Sequence, residues 1–351
     1  MDSQMTEAAP LALESAWDAT RRIAGHEDLD RHRFILSRMI PGTKAADAHS
    51  FSAVDCMLAV LRHLYSTHPD HLWVKGRSSE NLTGVAAELV KLAMSNFTAQ
   101  SEEEEKKVDD ARRRYMTARI AELNGGPVLT FHSLMQCLGA LWETPDFDLY
   151  QTIGRQRLGV DKHWIQIPVN ERHSVWGGIR SPIFCQMKDH NNFNEALRAH
   201  IPAEGIRVQD EEYAYRTHLG KPKFMIVELD PLGVKPPGFS INTIGRVRIP
   251  SMEVTSTRVK GGAVQVTFEG YNGKTFDEYC LLAIVRNRGD DDGLDFIRLY
   301  HSHGDNVKVF GDRDRYEQYI DDSWSLGELD SKYTLFYTRV GPAVGPPNNQ
   351  G

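Results

Sequence analysis

At 351 residues, 40% of them hydrophobic, the chain can bury a large core and suits two ordinary domains or one large domain of several lobes. Its net charge of −7 argues against nucleic acid, because a DNA or RNA binder normally concentrates a basic excess on one face; a basic or ordinary protein surface is the expected partner. The start, Met1-Asp2-Ser3-Gln4, has neither the basic nor the apolar region of a secretion signal, and no stretch approaches the roughly 18 apolar residues of a membrane span, so an intracellular protein, cytoplasmic or nuclear, with no membrane role is expected.

Residues 1 to about 122 read as helical, with amphipathic periods over 13–23, 33–39, 52–65 and 82–94. In the third of these, a polar approach ends at Ser52, and Val54, Met57, Leu58, Leu61 and Leu64 share one face. That pattern places Ser52 at a helix N-terminus, where unpaired N–H groups and the helix dipole would stabilise an anion. Ser52 with Asp55 three residues later is equally a plain N-cap arrangement. The run Ser101-Glu-Glu-Glu-Glu-Lys-Lys-Val-Asp-Asp-Ala-Arg-Arg-Arg114 puts acids before bases, as a solvated helix prefers. Asn124-Gly-Gly-Pro127 breaks the pattern, and a further helix is predicted over 131–142.

Strand patterns follow over 164–168, 224–229, 264–271, 279–287, 296–301, 307–310 and 333–339. Helices first and antiparallel strands afterwards make the expected fold class α+β. The Pro/Gly-rich tail, 341–351, is expected to be disordered, and no internal repeat is present. Cys56, Cys137, Cys185 and Cys280 lie far apart and never in C-x-x-C pairs, so they read as buried apolar residues rather than a disulfide framework or zinc site. Cys185 and His190 form the one close Cys/His pair, and two ligands do not make a tetrahedral site. No metal and no cofactor are expected.

Several segments, taken in order, carry a family pattern. Ser52-Ala-Val-Asp-Cys-Met-Leu-Ala-Val-Leu-Arg62 follows a C-x-L-D-C-x-x-V-A-x-R box with serine in the cysteine's place. Lys221-Pro-Lys-Phe-Met-Ile-Val-Glu-Leu-Asp230 is similar to P-x-x-L-I-I-x-L-x-R, and Ile241-Asn-Thr-Ile-Gly-Arg-Val-Arg-Ile-Pro250 to a K-I-x-x-x-V-x-F-P turn. Tyr279-Cys-Leu-Leu-Ala-Ile-Val285, Tyr316-Glu-Gln-Tyr-Ile-Asp-Asp-Ser323 and Tyr333-Thr-Leu-Phe-Tyr337 correspond to Y-x-L-x-A-V-V, W-Y-x-F-D-D-S and A-Y-x-L-F-Y. Together they resemble the ubiquitin-specific proteases, the papain-like deubiquitinases built as thumb, palm and fingers, and in particular divergent fungal-type members with degenerate catalytic residues. Trp176-Gly-Gly-Ile-Arg-Ser181 is similar to the F-G-G-x-x-x-S opening of the fingers, without the paired C-x-x-C knuckles that usually bind zinc there. The resemblance implies an N-terminal helical extension over 1–44, a thumb over about 45–160 and reduced fingers with an antiparallel palm over about 161–340.

The resemblance also assigns site positions. The general base should open an H-[FY]-x-x-Y strand; counting back from Asp321 lands on Asn306, while a shorter-loop alignment uses Asp295, and a shifted register brings in His301 or His303. Asp321 and Asp322 hold the place of the residue that orients the imidazole, and Asp47 that of an Asn donating to the oxyanion. A second opening box, Asn124-Gly-Gly-Pro-Val-Leu-Thr-Phe-His-Ser-Leu-Met-Gln-Cys-Leu138, resembles N-L-G-N-T-C-F-M-N-S-L-L-Q-C-L and puts Leu129 at the nucleophile. Either alignment removes the cysteine. A serine hydroxyl attacks only when a base takes its proton, Asn cannot act as that base, and an ionised Asp47 would repel the oxyanion.

The expected function is therefore a pseudo-deubiquitinase serving as a scaffold or binding module for ubiquitin, a ubiquitin-like protein or another protein partner. Two alternatives stay open: an active ubiquitin C-terminal hydrolase using a shifted His, and a scaffold subunit that has lost ubiquitin binding.

Overall fold

The computed structural model describes residues 16–24, 29–37, 48–68, 84–96, 102–122, 129–142, 144, 146–149, 152–168, 183–186, 193–201, 207–209, 211–230, 240–251, 254–268, 275–287, 294–301 and 331–344. The chain divides into two compact units, Met1–Cys137 and Leu138–Gly351.

The first unit is helical: α1 (Ala16–Ala24), α2 (Leu29–Ser37), α3 (Ala48–Thr67), α4 (Gly84–Ala93), α5 (Glu102–Glu122) and α6 (Phe131–Cys137). Helix α3 packs against α2, α4 and α6. Every residue from Phe51 to Ser66 is buried, so α3 is the central helix of the unit and not a surface helix with one apolar face. Two of its charged side chains, Arg62 and Asp55, are engaged from neighbouring helices. The Arg62 guanidinium, 0% exposed, donates to the carbonyls of Ala93 at 2.7 Å, Ser95 at 2.8 Å and Ile35 at 2.8 Å. One side chain thereby caps the end of α4 and ties α2 to it, because terminal carbonyls have no helical donor. Arg112 Nε stands 2.8 Å from Asp55 Oδ1, both side chains buried, and Arg112 Nη1 donates to Asp109 at 2.8 Å. Helix α5 is solvated as its charge pattern predicts, apart from the stripe Val108, Arg112, Tyr115 and Met116; i, i+4, i+7, i+8 spacing is one helix face.

The second unit holds α7 (Gly139–Trp142), β1 (Thr152–Arg157), β2 (Trp164–Gln166), β3 (Ile183–Gln186), α8 (Phe193–His200), β4 (Arg207–Gln209), β5 (Tyr213–His218) and β6 (Phe224–Asp230). It continues with α9 (Ile241–Ile244), β7 (Arg246–Pro250), β8 (Val254–Arg258), β9 (Val264–Phe268), β10 (Thr275–Asn287), β11 (Phe296–Leu299) and β12 (Lys332–Val344). One sheet runs β4-β5-β1-β2-β9-β8 and the other β11-β10-β12-β6-β3, with β7 also on β10. All described pairings are antiparallel except β3 with β6. Strand β10 has β12 along one edge and, along the other, β7 at Phe276–Cys280 and β11 at Ala283–Arg286. Buried on both faces, its sequence reads as a nearly continuous apolar run from Tyr279 to Val285. The core joins Leu197 and Ile201 to Val227, Ile249, Leu281 and Leu335. Two buried hydroxyls find carbonyl acceptors across it: Tyr279 donates to Pro222 at 3.1 Å and Tyr337 to Ile244 at 2.9 Å.

The structure departs from the sequence reading at several places. The helix expected to start at Ser52 starts at Ala48. The helix expected over 131–142 breaks at Leu138 into α6 and α7. The segment 241–250, expected as a turn, is α9 followed by β7. Helix α8 and strands β1, β3, β4, β5 and β8 were not anticipated; β1 (TIGRQR) and β8 (VTSTR) carry one apolar side chain each and show no clean alternation. Strand β12 runs four residues into the Pro/Gly-rich segment, Gly341–Val344, beyond Thr338 where its pairing with β6 ends. Proline is tolerated at such edge positions. Helices α1 and α2, expected as an extension, belong to the same unit as α3. The strand expected over 307–310 lies outside the described residues.

Candidate functional site

Ser52 is the fifth residue of α3 and 4% exposed. An α-helix leaves its first four N–H groups without helical acceptors, and here those belong to Ala48 through Phe51. Ser52 is one residue past that anion-stabilising turn, which corrects the expectation that it occupies the helix N-terminus. His63, buried on the same helix, is eleven residues further on, about 16 Å along the axis, and cannot reach Ser52. The Asp55 and Arg62 that carry the first box's resemblance are both engaged in helix packing, with Arg112 and with three carbonyls. Cys56 is buried, as its position predicts.

The second box presents a helix start where the pattern requires one. Helix α6 begins at Phe131, and Thr130 and Ser133 cap it reciprocally. Thr130 Oγ1 accepts from the Ser133 N–H at 3.2 Å, and Ser133 Oγ accepts from the Thr130 N–H at 3.1 Å. Leu129, 1% exposed, immediately precedes the cap, and Leu134, 0% exposed, follows at the staple position. A hydrocarbon side chain thus sits ahead of the capped turn, with no atom able to act as nucleophile. The Q-C of this box is Gln136-Cys137. Burial raises the Cys137 thiol pKa, against the lowering effects of Arg119 and the Tyr115 hydroxyl, so it holds its proton at neutral pH. The signal that distinguishes the boxes was in the sequence: Thr130 and Ser133 stand at cap spacing, beside the Gly-Gly-Pro break.

Of the remaining site positions, Asp295 and His301 are in the second unit. Asp295 is 1% exposed, just before β11, and His301 is exposed beyond the other end of that strand. Six residue steps, through β11 and Tyr300, put them about 20 Å apart along the chain, so they do not form an acid–base pair with each other. Asp47, Asn306, Asp321, Asp322 and His303 lie outside the described residues. Among the described residues, no group of three or more His, Cys, Asp or Glu is placed to hold a metal ion, and no helix is long and apolar enough to cross a membrane.

No protein-family model and no curated protein matches the chain. Among solved structures it is similar to the SAGA Ubp8/Sgf11/Sus1/Sgf73 DUB module bound to ubiquitin aldehyde, at 11% identity and TM-score 0.40, covering 88% of this chain and 73% of that one. A second structure of the SAGA Ubp8/Sgf11/Sus1/Sgf73 DUB module gives 10% identity and TM-score 0.37, over 94% and 72%. The Saccharomyces cerevisiae PAN2 pseudoubiquitin-hydrolase gives 9% identity and TM-score 0.36, over 92% and 91%. At these scores the likeness carries no argument about what this chain does.

Proposed function

We propose that this chain is a catalytically inactive protein of ubiquitin-specific-protease type, acting as a binding module or scaffold for ubiquitin or another protein. The observation that supports the reading is Leu129 ahead of the Thr130/Ser133-capped turn of α6. Cysteine hydrolases need a thiolate at such a turn, and the other alignment offers only Ser52, buried inside α3. Under either alignment hydrolysis lacks its nucleophile. Recognition of an extended ubiquitin tail depends largely on backbone hydrogen bonds and tolerates side-chain drift better than catalysis does. The test pairs two measurements on the full chain: release of a fluorophore from the ubiquitin C-terminus, and titration of ubiquitin itself. No release and no adduct with a cysteine-directed ubiquitin probe are expected, with ubiquitin affinity micromolar or weaker, about −8 kcal/mol. Turnover abolished by His301→Ala would overturn the reading in favour of an active hydrolase. Absence of any ubiquitin binding would leave the scaffold that has lost ubiquitin affinity.

A further inference from the structure

The sheet β4-β5-β1-β2-β9-β8 has a charge character opposite to that of the chain. Its six strands contain Arg155, Arg157, Arg207, Arg216 and Arg258, and no Asp, Glu or Lys, in a protein of net charge −7. The register Arg155↔Tyr215 and Arg157↔Tyr213 puts these four side chains on one face, with Ile165 beside Arg155 on the next strand. The Arg155 guanidinium lies 5.3 Å from the centre of the Tyr213 ring, and the Tyr213 and Tyr215 rings are 6.2 Å apart. Arg155, Tyr213, Tyr215 and Ile165 are half-buried and Arg157 is exposed.

Arg155 has no carboxylate partner among the described residues. A guanidinium stacked on a ring holds its plane fixed and leaves its N–H edge directed outward, which suits bidentate capture of a carboxylate. Arg157 meets Glu212 at 3.0 Å, but both side chains are about half exposed, 52% and 55%, and an ion pair so exposed is weak enough to exchange partners. Residues i and i+2 of a strand stand about 7 Å apart on one face. An extended partner with acids at alternate positions repeats that spacing. Arginine and tyrosine are also the side chains enriched where binding energy concentrates.

We infer that the Arg155/Arg157/Tyr213/Tyr215 face docks an extended acidic segment of a partner protein, its alternate carboxylates paired with the two arginines. A single-stranded nucleic acid fits less well, because Arg155 already covers the Tyr213 ring that a base would stack on. This inference does not depend on the inactive-deubiquitinase reading, since neither the thiolate positions nor ubiquitin enters it.

The test measures fluorescence anisotropy of a labelled peptide alternating Glu and Thr, with the full chain at low salt, beside a Lys/Thr peptide and an oligouridylate of equal length. The Glu/Thr peptide is expected to bind, to weaken with salt, and to lose roughly tenfold or more in affinity in the double variant Arg155→Glu, Arg157→Glu. Arg155→Lys, which keeps the charge and loses the stacked fork, is expected to lose part of that. Arg258→Glu makes the same charge change at the far edge, on the opposite face, and is expected to bind as the unaltered protein does. No binding, equal loss in Arg258→Glu, or tighter binding of the oligouridylate would each overturn the inference.

Discussion

Ser52 and Leu129 show how position on a helix decides chemistry more strictly than residue type does. A thiol placed at residue 52 would sit inside a buried helix whose free N–H groups end one residue earlier. Burial in apolar surroundings raises a thiol pKa, as it does for Cys185, pushed up to about 12. Ser52→Cys is therefore expected to fold, to remain unlabelled by iodoacetamide in the native state, and to cleave no ubiquitin amide. Mass spectrometry of the native and the urea-unfolded variant distinguishes the two states, and rapid native labelling at residue 52 would refute the argument. Asp55 and Arg62 teach the complementary lesson. They were legible as motif residues because helix packing requires them, and the same packing explains the box without any catalytic history.

At the scale of elements, the two sheets differ in how visible their strands are in the sequence. Strands β6, β10 and β12 are buried on both faces, so their apolar runs mark them directly. Strands β1, β5 and β8 are held by register rather than by side-chain alternation, and Gly154 in β1 gave no sign of its neighbours. A Cβ at Gly154 would fall 2.7 Å from the Phe268 ring and 3.2 Å from Trp164 Cβ, while Phe268 also packs edge-on against Trp164 at 5.8 Å and carries the Arg216 guanidinium at 5.1 Å. Real Cβ atoms do not approach so closely, so either the ring or β1 must shift. Gly154→Ala is expected to cost about 1–3 kcal/mol, the usual penalty of overpacking. Trimming the ring in the double variant Gly154→Ala, Phe268→Leu should recover part of it. Urea midpoints of the single and double variants check this. Additive losses would mean that the ring is not the obstacle. Helix α3 starts ahead of its apolar period because residues 48–51, Ala-His-Ser-Phe, contain no breaker and Phe51, 6% exposed, extends the buried run one residue ahead of Ser52.

For the whole molecule, buried hydroxyls and thiols set the alkaline limit. Desolvation raises the pKa values of Tyr279, Tyr337 and Cys185 above their ordinary 9 to 10, and like-charge neighbours add to it at both tyrosines. The folded state therefore holds these protons more tightly than the unfolded chain does. The stability this represents is fully present below the unfolded values and is lost as pH rises through the raised ones. Urea midpoints are expected to stay level up to about pH 9 and to fall steadily above it; a midpoint that rises between about pH 9 and 11 would contradict the assignment. The order of strands adds a constraint in time. Strand β12 is inserted between β6 and β10, pairing Leu335 with Val227 on one side and with Ile284 on the other. A nascent chain leaving the ribosome reaches Asn287 with the facing edges of β6 and β10 both complete and unfilled. The second unit cannot close the sheet β11-β10-β12-β6-β3 until Lys332–Val344 has been translated, and during that interval the unpaired edges of two apolar strands are open to aggregation.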